Sequence, residues 1–204
     1  MWKHIGEMLP LENYSIQAKN LLESIVQDYE SVLGSIHQDT FYLSEIKKIR
    51  LSINSRIRKI SDLAEIKNDH QDNFFTIIVF NEDYYELLNE ELQNLELDTK
   101  KEGQFIKVFK KELTYNQLMS IVDDIEKIRN KTLTKCSKAK SEPVIRARTA
   151  LENEFIEPAI SRETFNQCEI LQKKATDLID LITQKRIKEI LGKINFEKYI
   201  NKKI

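Results

Sequence analysis

The stretch of sequence that decides the fold is QFIKVFKKELTYNQLMSIVDDI, residues 104–125. At its start, Ile106 and Val108 alternate with more polar positions, which predicts a short β-strand with one buried face. The polar residues 110–112 then interrupt the alternation. From Leu118 onward the apolar residues recur at helical spacing. The periodicity therefore changes at residues 110–112, where a small strand-containing domain ends and a long helix begins.

This helix is predicted both by its start signal and by a narrow apolar stripe. Thr114 and Gln117 have the spacing of a capping box, in which each side chain bonds the backbone of the other. The stripe positions step by three or four residues: Leu118, Ile121, Ile125, Ile128, Thr132, Cys136 and Ala139. Pro143 lies farther along, where an interior proline is expected to kink or interrupt a helix.

Two other segments carry the same narrow stripe. The first has its apolar residues at Ala18, Leu22, Ile25, Tyr29, Val32 and Ile36. The second has them at Cys168, Leu171, Ala175, Leu178 and Ile182. Ser161, just after Glu157-Pro158, is the expected N-cap of this last helix. Because all three helices are charged outside their stripes, packing them together along the stripes predicts a long three-helix bundle.

The residues between the first two bundle helices have strand periodicity. Residues 51–57 alternate, residues 74–80 are rich in β-formers, and residues 104–108 alternate again. A short helix over residues 82–92, capped by Asn81 and ending near Leu95, is expected to cover one sheet face. We therefore predict a small inserted α/β sandwich domain.

The predicted fold class is α+β. An N-terminal extension occupies residues 1–11, the bundle is formed discontinuously by residues 12–40 and 112–191, the inserted domain spans residues 41–111, and a basic C-terminal tail follows at residues 192–204. The chain crossings near residues 40 and 111 form the expected hinge.

Composition limits the partners. The formal net charge is −1, so nucleic acid or acidic lipid must be met by a local patch. The longest apolar run, residues 74–80, is far shorter than the roughly 18 to 20 residues of a membrane span, so no membrane association is expected. The first ten residues resemble neither a secretory signal nor an Arg-rich transit peptide, and export is not expected.

The sequence also argues against an enzyme. The three histidines, His4, His37 and His70, are isolated, so no metal site is expected. Four glycines are too few for a phosphate-cradling loop. Both cysteines, Cys136 and Cys168, fall on stripe positions and are interpreted as reduced core residues. We predict no cofactor, no metal and no catalytic residue.

The concentrated charge lies on the second bundle helix, whose residues 127–148 include a single acid, Glu142. The candidate RNA-binding residues are Lys127, Arg129, Lys131, Lys135, Lys138, Lys140, Arg146 and Arg148. Four of these lysines (127, 131, 135 and 138) project within about a quarter turn of one another, beside the apolar stripe. Such a basic stripe suits a phosphate backbone of RNA or DNA. A solvated face whose lysines pair with acids of the other helices is the alternative, and the pattern leaves both open.

Two stretches resemble the ribosome recycling factor family. Residues 95–114, LELDTKKEGQFIKVFKKELT, are similar to the family's L-G-L-N-P…G…I-R-V…L-T segment through Leu95, Leu97, Gly103, Ile106, Val108, Leu113 and Thr114. Residues 160–191 are similar to its I-S-E-D…Q-K-L-T-D…I…K-E-K-E-I-M ending through Ile160, Ser161, Gln172, Lys173, Thr176, Asp177, Ile182 and residues 188–190. Residues 63–66 and the following strand resemble a third family segment.

The resemblance implies a three-helix bundle interrupted by a small α/β domain. It also implies a monomeric, non-enzymatic factor that binds ribosomal RNA of the large subunit after termination. With an elongation-factor-G-type GTPase, which hydrolyses the GTP, such a factor promotes subunit separation. The candidate RNA-binding residues would be the ribosomal RNA contacts.

The sequence departs from the family at several positions. His37 and Thr40 stand where the family carries arginines, and the family's R-N-x-R-R cluster falls either at residues 137–141 or near Arg146 and Arg148. Such divergence favours a mitochondrial member of the family. The alternative location is the cytoplasm. Two other interpretations are a helical scaffold for protein partners and a ribosome-binding regulator that does not split subunits.

Overall fold

The computed structural model describes residues 13–53, 55–68 and 73–203. It contains long helices and a small antiparallel sheet, which confirms the predicted α+β class. The described residues divide into two compact units, residues 13–35 with 122–203 and residues 36–121. The predicted extension at residues 1–11, His4 and His70 lie outside the described residues.

The elements follow one another in this order: α1 (Asn13–Gly34), α2 (Asp39–Lys48), β1 (Arg50–Ile53), β2 (Arg56–Lys59), β3 (Ala64–Asn68), β4 (Phe74–Val79), α3 (Tyr85–Asn94), β5 (Asp98–Glu102), β6 (Phe105–Phe109), α4 (Tyr115–Glu152) and α5 (Pro158–Lys203). Short 3-10 helices at Ile60–Asp62 and Glu82–Tyr84 precede β3 and α3.

The first unit is built by α1, by α4 from residue 122, and by α5. Side chains link each pair of helices: Tyr29 of α1 bonds Thr183 of α5 at 2.6 Å, and Arg129 of α4 bonds Asp180 of α5 at 2.7 Å. Arg146 of α4 bonds Gln17 of α1 at 3.2 Å. The three helices are therefore joined in pairs, and each contributes buried apolar residues to this unit.

The buried face of α1 differs in part from the predicted stripe. Val26 and Leu33 are buried, whereas Val32 is 45% exposed and Ile25 is half-buried. Each of these positions belongs to a pair of adjacent apolar residues, which point about 100° apart on a helix. Only one member of each pair can face the core, and packing against the other helices determines which residue is buried.

Helix α4 begins with the predicted capping box. The Thr114 amide donates to Gln117 Oε1 at 2.9 Å, and the Gln117 amide donates to Thr114 Oγ1 at 3.4 Å. Pro143 does not interrupt the helix, since α4 continues through it to Glu152. A proline removes its own backbone N–H bond. Pro143 is itself buried, between the buried Ala139 and Ala147, so packing on both sides holds the helix together.

Helix α5 begins earlier than predicted. It begins at Pro158, and the Ser161 amide already donates to the Glu157 carbonyl at 3.3 Å, so the prediction of Ser161 as N-cap is wrong. Proline is favoured at the first helical position because its missing N–H needs no partner there. The residues predicted as a basic tail are helical to Lys203, after a break at Gly192, whose φ is 68° and ψ is 173°.

The second unit has its own core. A four-stranded antiparallel sheet has the order β3-β4-β6-β5, and β1 and β2 form a separate two-stranded sheet. The buried side chains of the sheets and of α2 and α3 form one cluster that includes Tyr42, Phe75, Ile77, Leu88 and Ile106. Asn81 caps the turn before α3 as predicted, since its side chain accepts from the Asp83 amide at 3.1 Å.

The two chain crossings of this unit lie side by side. Lys110 forms an ion pair of 2.9 Å with Asp39, and neither side chain is largely exposed. The Tyr42 hydroxyl accepts from the Lys111 amide at 2.8 Å and also bonds the carbonyl of Lys111. Residues 39–42 are therefore held directly against residues 110–111.

Candidate nucleic-acid interface

The basic stripe of the sequence lies on one face of α4. Lys127, Lys131, Lys135 and Lys138 are all exposed, and the helix that carries them is continuous from Tyr115 to Glu152. At about 100° per residue they span about a quarter turn beside the buried positions. The structure therefore brings these four predicted residues together.

Arg129 and Lys140 lie on the opposite edge of the buried positions of α4, where both form ion pairs with α5. Arg129 bonds Asp180 of α5 at 2.7 Å and approaches Glu126 at 3.6 Å. Lys140 pairs with Glu169 of α5. Burial lowers the pKa of Arg129, but the hydrogen bond and charge of Asp180 outweigh burial and hold this pKa above its usual value. In the structure these two candidate residues link α4 to α5.

Two further candidates have pairs on their own helix. Lys127 lies 2.8 Å from Asp124, and Arg146 lies 2.6 Å from Glu142. Both pairs are largely exposed, and exposed pairs of this kind contribute about 0–1 kcal/mol. A phosphate group could replace these acids at little energetic cost.

The remaining candidates are Lys131, Lys135, Lys138 and Arg148, which are exposed and form no ion pair with any described residue. Arg148 projects about 100° away from Lys131, so it does not extend the stripe. Lys131 and Lys135 also line a cavity of about 170 Å³ against α1, together with Ile25, Asp28 and Val32. The uncompensated charge of the stripe is therefore concentrated at Lys131, Lys135 and Lys138.

The described residues offer no reactive thiol, no metal-ligand cluster and no membrane-spanning helix. Cys136 and Cys168 are free and buried, and burial raises the pKa of both thiols, so they remain protonated. Among residues 13–53, 55–68 and 73–203, no cluster of His, Cys, Asp and Glu could hold a metal ion. No described helix combines the length and hydropathy needed to cross a membrane.

Comparisons with known proteins gave matches at the level of structure. No protein-family model and no curated protein sequence matches the chain. A solution structure of ribosome recycling factor is 18% identical, with a TM-score of 0.48 over 92% of this chain and 100% of that chain. A set of models for the T. thermophilus ribosome recycling factor and the E. coli elongation factor G bound to the E. coli post-termination complex contains a chain that is 10% identical. Its TM-score is 0.47 over 90% of this chain and 100% of that chain.

A second basic surface, which the sequence analysis missed, lies in the second unit. Residues 47–59, KKIRLSINSRIRK, contain six cations and no acid, a higher density than that of α4. The cations are Lys47, Lys48, Arg50, Arg56, Arg58 and Lys59. This run of charge is visible in the sequence but has no helical periodicity, because these residues lie mostly on strands.

Proposed function

We propose that this chain is a divergent ribosome recycling factor. It binds ribosomal RNA of the large subunit after termination and, with an elongation-factor-G-type GTPase, promotes separation of the subunits. The GTPase supplies the energy, and this chain acts as a monomeric, non-enzymatic binding partner.

The observation that carries the proposal is that the family-like segments fall on the elements that the resemblance requires. Residues 95–114 contain β5, a turn, β6 and the capping residue Thr114 that precedes α4, and residues 160–191 lie in α5. The family's glycine matches Gly103, whose φ of 62° lies in the left-handed region that favours glycine. The order of a bundle helix, a small α/β unit and two more bundle helices supports the same assignment.

The arrangement of cations on α4 suggests a division of roles. Arg129 and Lys140 are engaged with α5 and hold α4 in a fixed orientation. Lys131, Lys135 and Lys138 then present unpaired charge on a rigid helix, where each can neutralise one phosphate and release its condensed counterions. We therefore propose these three lysines as the principal ribosomal RNA contacts, with Lys127 contributing after it leaves Asp124.

The proposal is tested by cosedimentation with purified large ribosomal subunits across a salt series. The triple variant K131E/K135E/K138E is expected to lose binding at moderate salt, because three phosphate contacts are replaced by like-charge repulsion. In the neutral variant K131Q/K135Q/K138Q, the slope of log K against log salt should fall by about 2 to 3.

A matched control is available on α5, where Lys173, Lys185 and Lys188 are exposed. The variant K173E/K185E/K188E makes the same change in net charge and should bind nearly as well as the unmodified chain. Equal loss in both variants, or retained binding in the stripe variant, would remove the stripe from the proposal. Circular dichroism should show unchanged helicity in each variant.

A helical scaffold that binds protein partners is the second candidate. It is favoured by the acid pairs of Lys127, Arg129, Lys140 and Arg146, which together use half of the predicted RNA-binding residues. Salt-insensitive binding to a protein partner, without binding to large subunits, would support the scaffold in place of the recycling factor.

A ribosome-binding regulator that does not split subunits is favoured by the segment around His37 and Thr40. The Thr40 hydroxyl accepts from the His37 amide at 2.9 Å, next to the first residue of α2. These residues thus build a turn where the family carries arginines. A light-scattering assay of subunit separation with the GTPase and GTP distinguishes the two roles, since a regulator would bind without splitting.

We further propose a mitochondrial location, on the ground of the chain's divergence from the family segments. Fractionation of cells that express a tagged chain tests this location, and recovery in the cytosol alone would contradict it.

A further inference from the structure

The second basic surface consists of Lys47, Lys48, Arg50, Arg56, Arg58 and Lys59, and we call it the basic hairpin. It joins the last turn of α2 to the two-stranded sheet of β1 and β2. All six side chains belong to exposed residues, and all lie within the second unit. It is therefore separate in the chain from the lysine stripe of α4.

Backbone pairing brings these cations together in space. Strands β1 and β2 pair antiparallel, with Arg50 opposite Lys59 and Leu51 opposite Arg58. The Arg50 guanidinium donates to the carbonyl of Lys47 at 2.8 Å and to that of Ile49 at 2.9 Å. These bonds place the end of α2 beside the start of β1. Because successive residues of a strand point to opposite faces, Arg50 and Lys59 lie on one face of the pair, and Arg56 and Arg58 lie on the other.

The hairpin is not arranged for burial. All four residues of β2 are exposed, including Ile57 at 78%, whereas Leu51 of β1 is buried in the core of the unit. Strand β2 therefore rests on β1 and presents three cations in four residues to solvent. Cations on an exposed strand also discourage edge-to-edge aggregation, which is the role the hairpin would have without a ligand.

Most of this charge is not neutralised by the protein. Within the described ranges, the basic hairpin forms one ion pair, between Lys48 and Glu45 at 2.5 Å. Asp62 accepts from the backbone amide of Lys59 at 3.2 Å and so caps the turn that follows β2. Arg56, Arg58 and Lys47 have no acidic partner among the described residues. The local charge is strongly positive in a chain whose net charge is −1.

We infer that the basic hairpin is a second RNA-binding site, which takes the phosphate backbone of an RNA helix. Guanidinium groups match phosphate oxygens in a bidentate geometry, and the hairpin carries three of them. Arg56 and Arg58 are two residues apart on a strand, about 6.6 Å, and project on the same side. Successive phosphates can therefore be met by successive arginines.

This site extends the proposed function, because it assigns an RNA contact to the unit that does not carry the stripe. The choice of RNA over DNA rests on the proposed function, whereas the phosphate chemistry rests on the hairpin itself. An anionic membrane fits less well, since Ile57 is the one exposed apolar side chain on β2 and offers little area for insertion.

The test measures fluorescence anisotropy of a labelled RNA stem-loop with the full chain carrying K131E/K135E/K138E, in which the stripe is silent. Adding R56Q/R58Q/K59Q should weaken the remaining RNA binding about tenfold or more at 100 mM salt and lower the salt slope by about 2 to 3. Adding R56K/R58K instead keeps the charge and removes the bidentate geometry, so it should preserve the salt slope and weaken binding less than R56Q/R58Q/K59Q.

The control adds K173Q/K185Q/K188Q to the same parent and should leave RNA binding unchanged. Undiminished binding in the R56Q/R58Q/K59Q variant would overturn the inference, as would equal affinity for a DNA duplex of the same length. Binding to phosphatidylglycerol vesicles without binding to RNA would assign the surface to membranes instead. Because this test uses isolated RNA and a silenced stripe, its failure is distinguishable from failure of ribosome cosedimentation.

Discussion

The hydroxyl pair of Tyr29 and Thr183 shows how one polar contact is satisfied in the bundle core. Both residues are buried, their oxygens lie 2.6 Å apart, and the Thr183 hydroxyl bonds the Ile179 carbonyl at 2.6 Å. Since Thr183 donates to that carbonyl, Tyr29 donates to Thr183. Burial raises the pKa of Tyr29, so its hydroxyl remains protonated through the neutral range.

From this pair we predict unequal effects of two substitutions. Tyr29→Phe removes the donor and should lower the free energy of unfolding by about 1 kcal/mol. Thr183→Val leaves the buried Tyr29 O–H without an acceptor and should cost more, about 1–3 kcal/mol. Urea denaturation of both variants and of the double variant tests this. Strict additivity would contradict it, because the double variant removes the orphaned hydroxyl.

At the same scale, the candidate site was predictable only in part. The angular positions of Lys131, Lys135 and Lys138 follow from helical geometry alone, so sequence could group them. The pairing of Arg129 and Lys140 could not be seen, because their acids lie 51 and 29 residues away, on a helix whose orientation is set by packing. The basic hairpin was visible as a charge run, but the face of the strand pair on which each cation lies depends on strand register.

At the scale of elements, Gly192 allows the last eleven described residues to leave the line of α5. Its φ of 68° and ψ of 173° lie in a region that is essentially restricted to glycine. Beyond it, Tyr199 is buried and its hydroxyl bonds Glu126 of α4 at 3.1 Å. The break therefore lets the final helical segment contact α4.

We predict that Gly192→Ala releases this segment. No atom would touch the added Cβ, so the cost comes from the backbone and should be about 1–3 kcal/mol. Hydrogen exchange of residues 193–203 should become faster, with little change elsewhere. Gly34→Ala is the matched control: its Cβ would also meet no neighbour and its φ is not positive. Unchanged exchange in Gly192→Ala would contradict the prediction.

The elements with strong periodicity were predictable from sequence, and the others were not. Strands β4 and β6 alternate because one sheet face packs on the core. Helix α2 was missed, since it is ten residues long and buries only Tyr42 and Ile46. Strand β5 was also missed, because its DTKKE sequence is polar and it is held by backbone pairing with β6.

At the scale of the whole molecule, each unit has a core of its own. Leu88 is fully buried in the second unit and Leu171 is 1% exposed in the bundle. Replacing either with alanine should cost about 2–5 kcal/mol through lost burial and a cavity. We predict that Leu88→Ala accelerates hydrogen exchange mainly within residues 36–121, and Leu171→Ala mainly within the bundle. Equal acceleration of both units by either variant would contradict separate cores.

The contact between Tyr29 and Thr183 joins residues 154 positions apart, and this has a consequence for synthesis of the chain. Helix α1 emerges from the ribosome before the other two bundle helices, yet its apolar face has no α5 to pack against until the residues up to Thr183 have been translated. The core of the second unit lies between Tyr42 and Val108 and can close much earlier. Closing so long a loop is slow, so the apolar face of α1 stays exposed to solvent during synthesis. A molecular chaperone that covers this face would reduce aggregation during that interval.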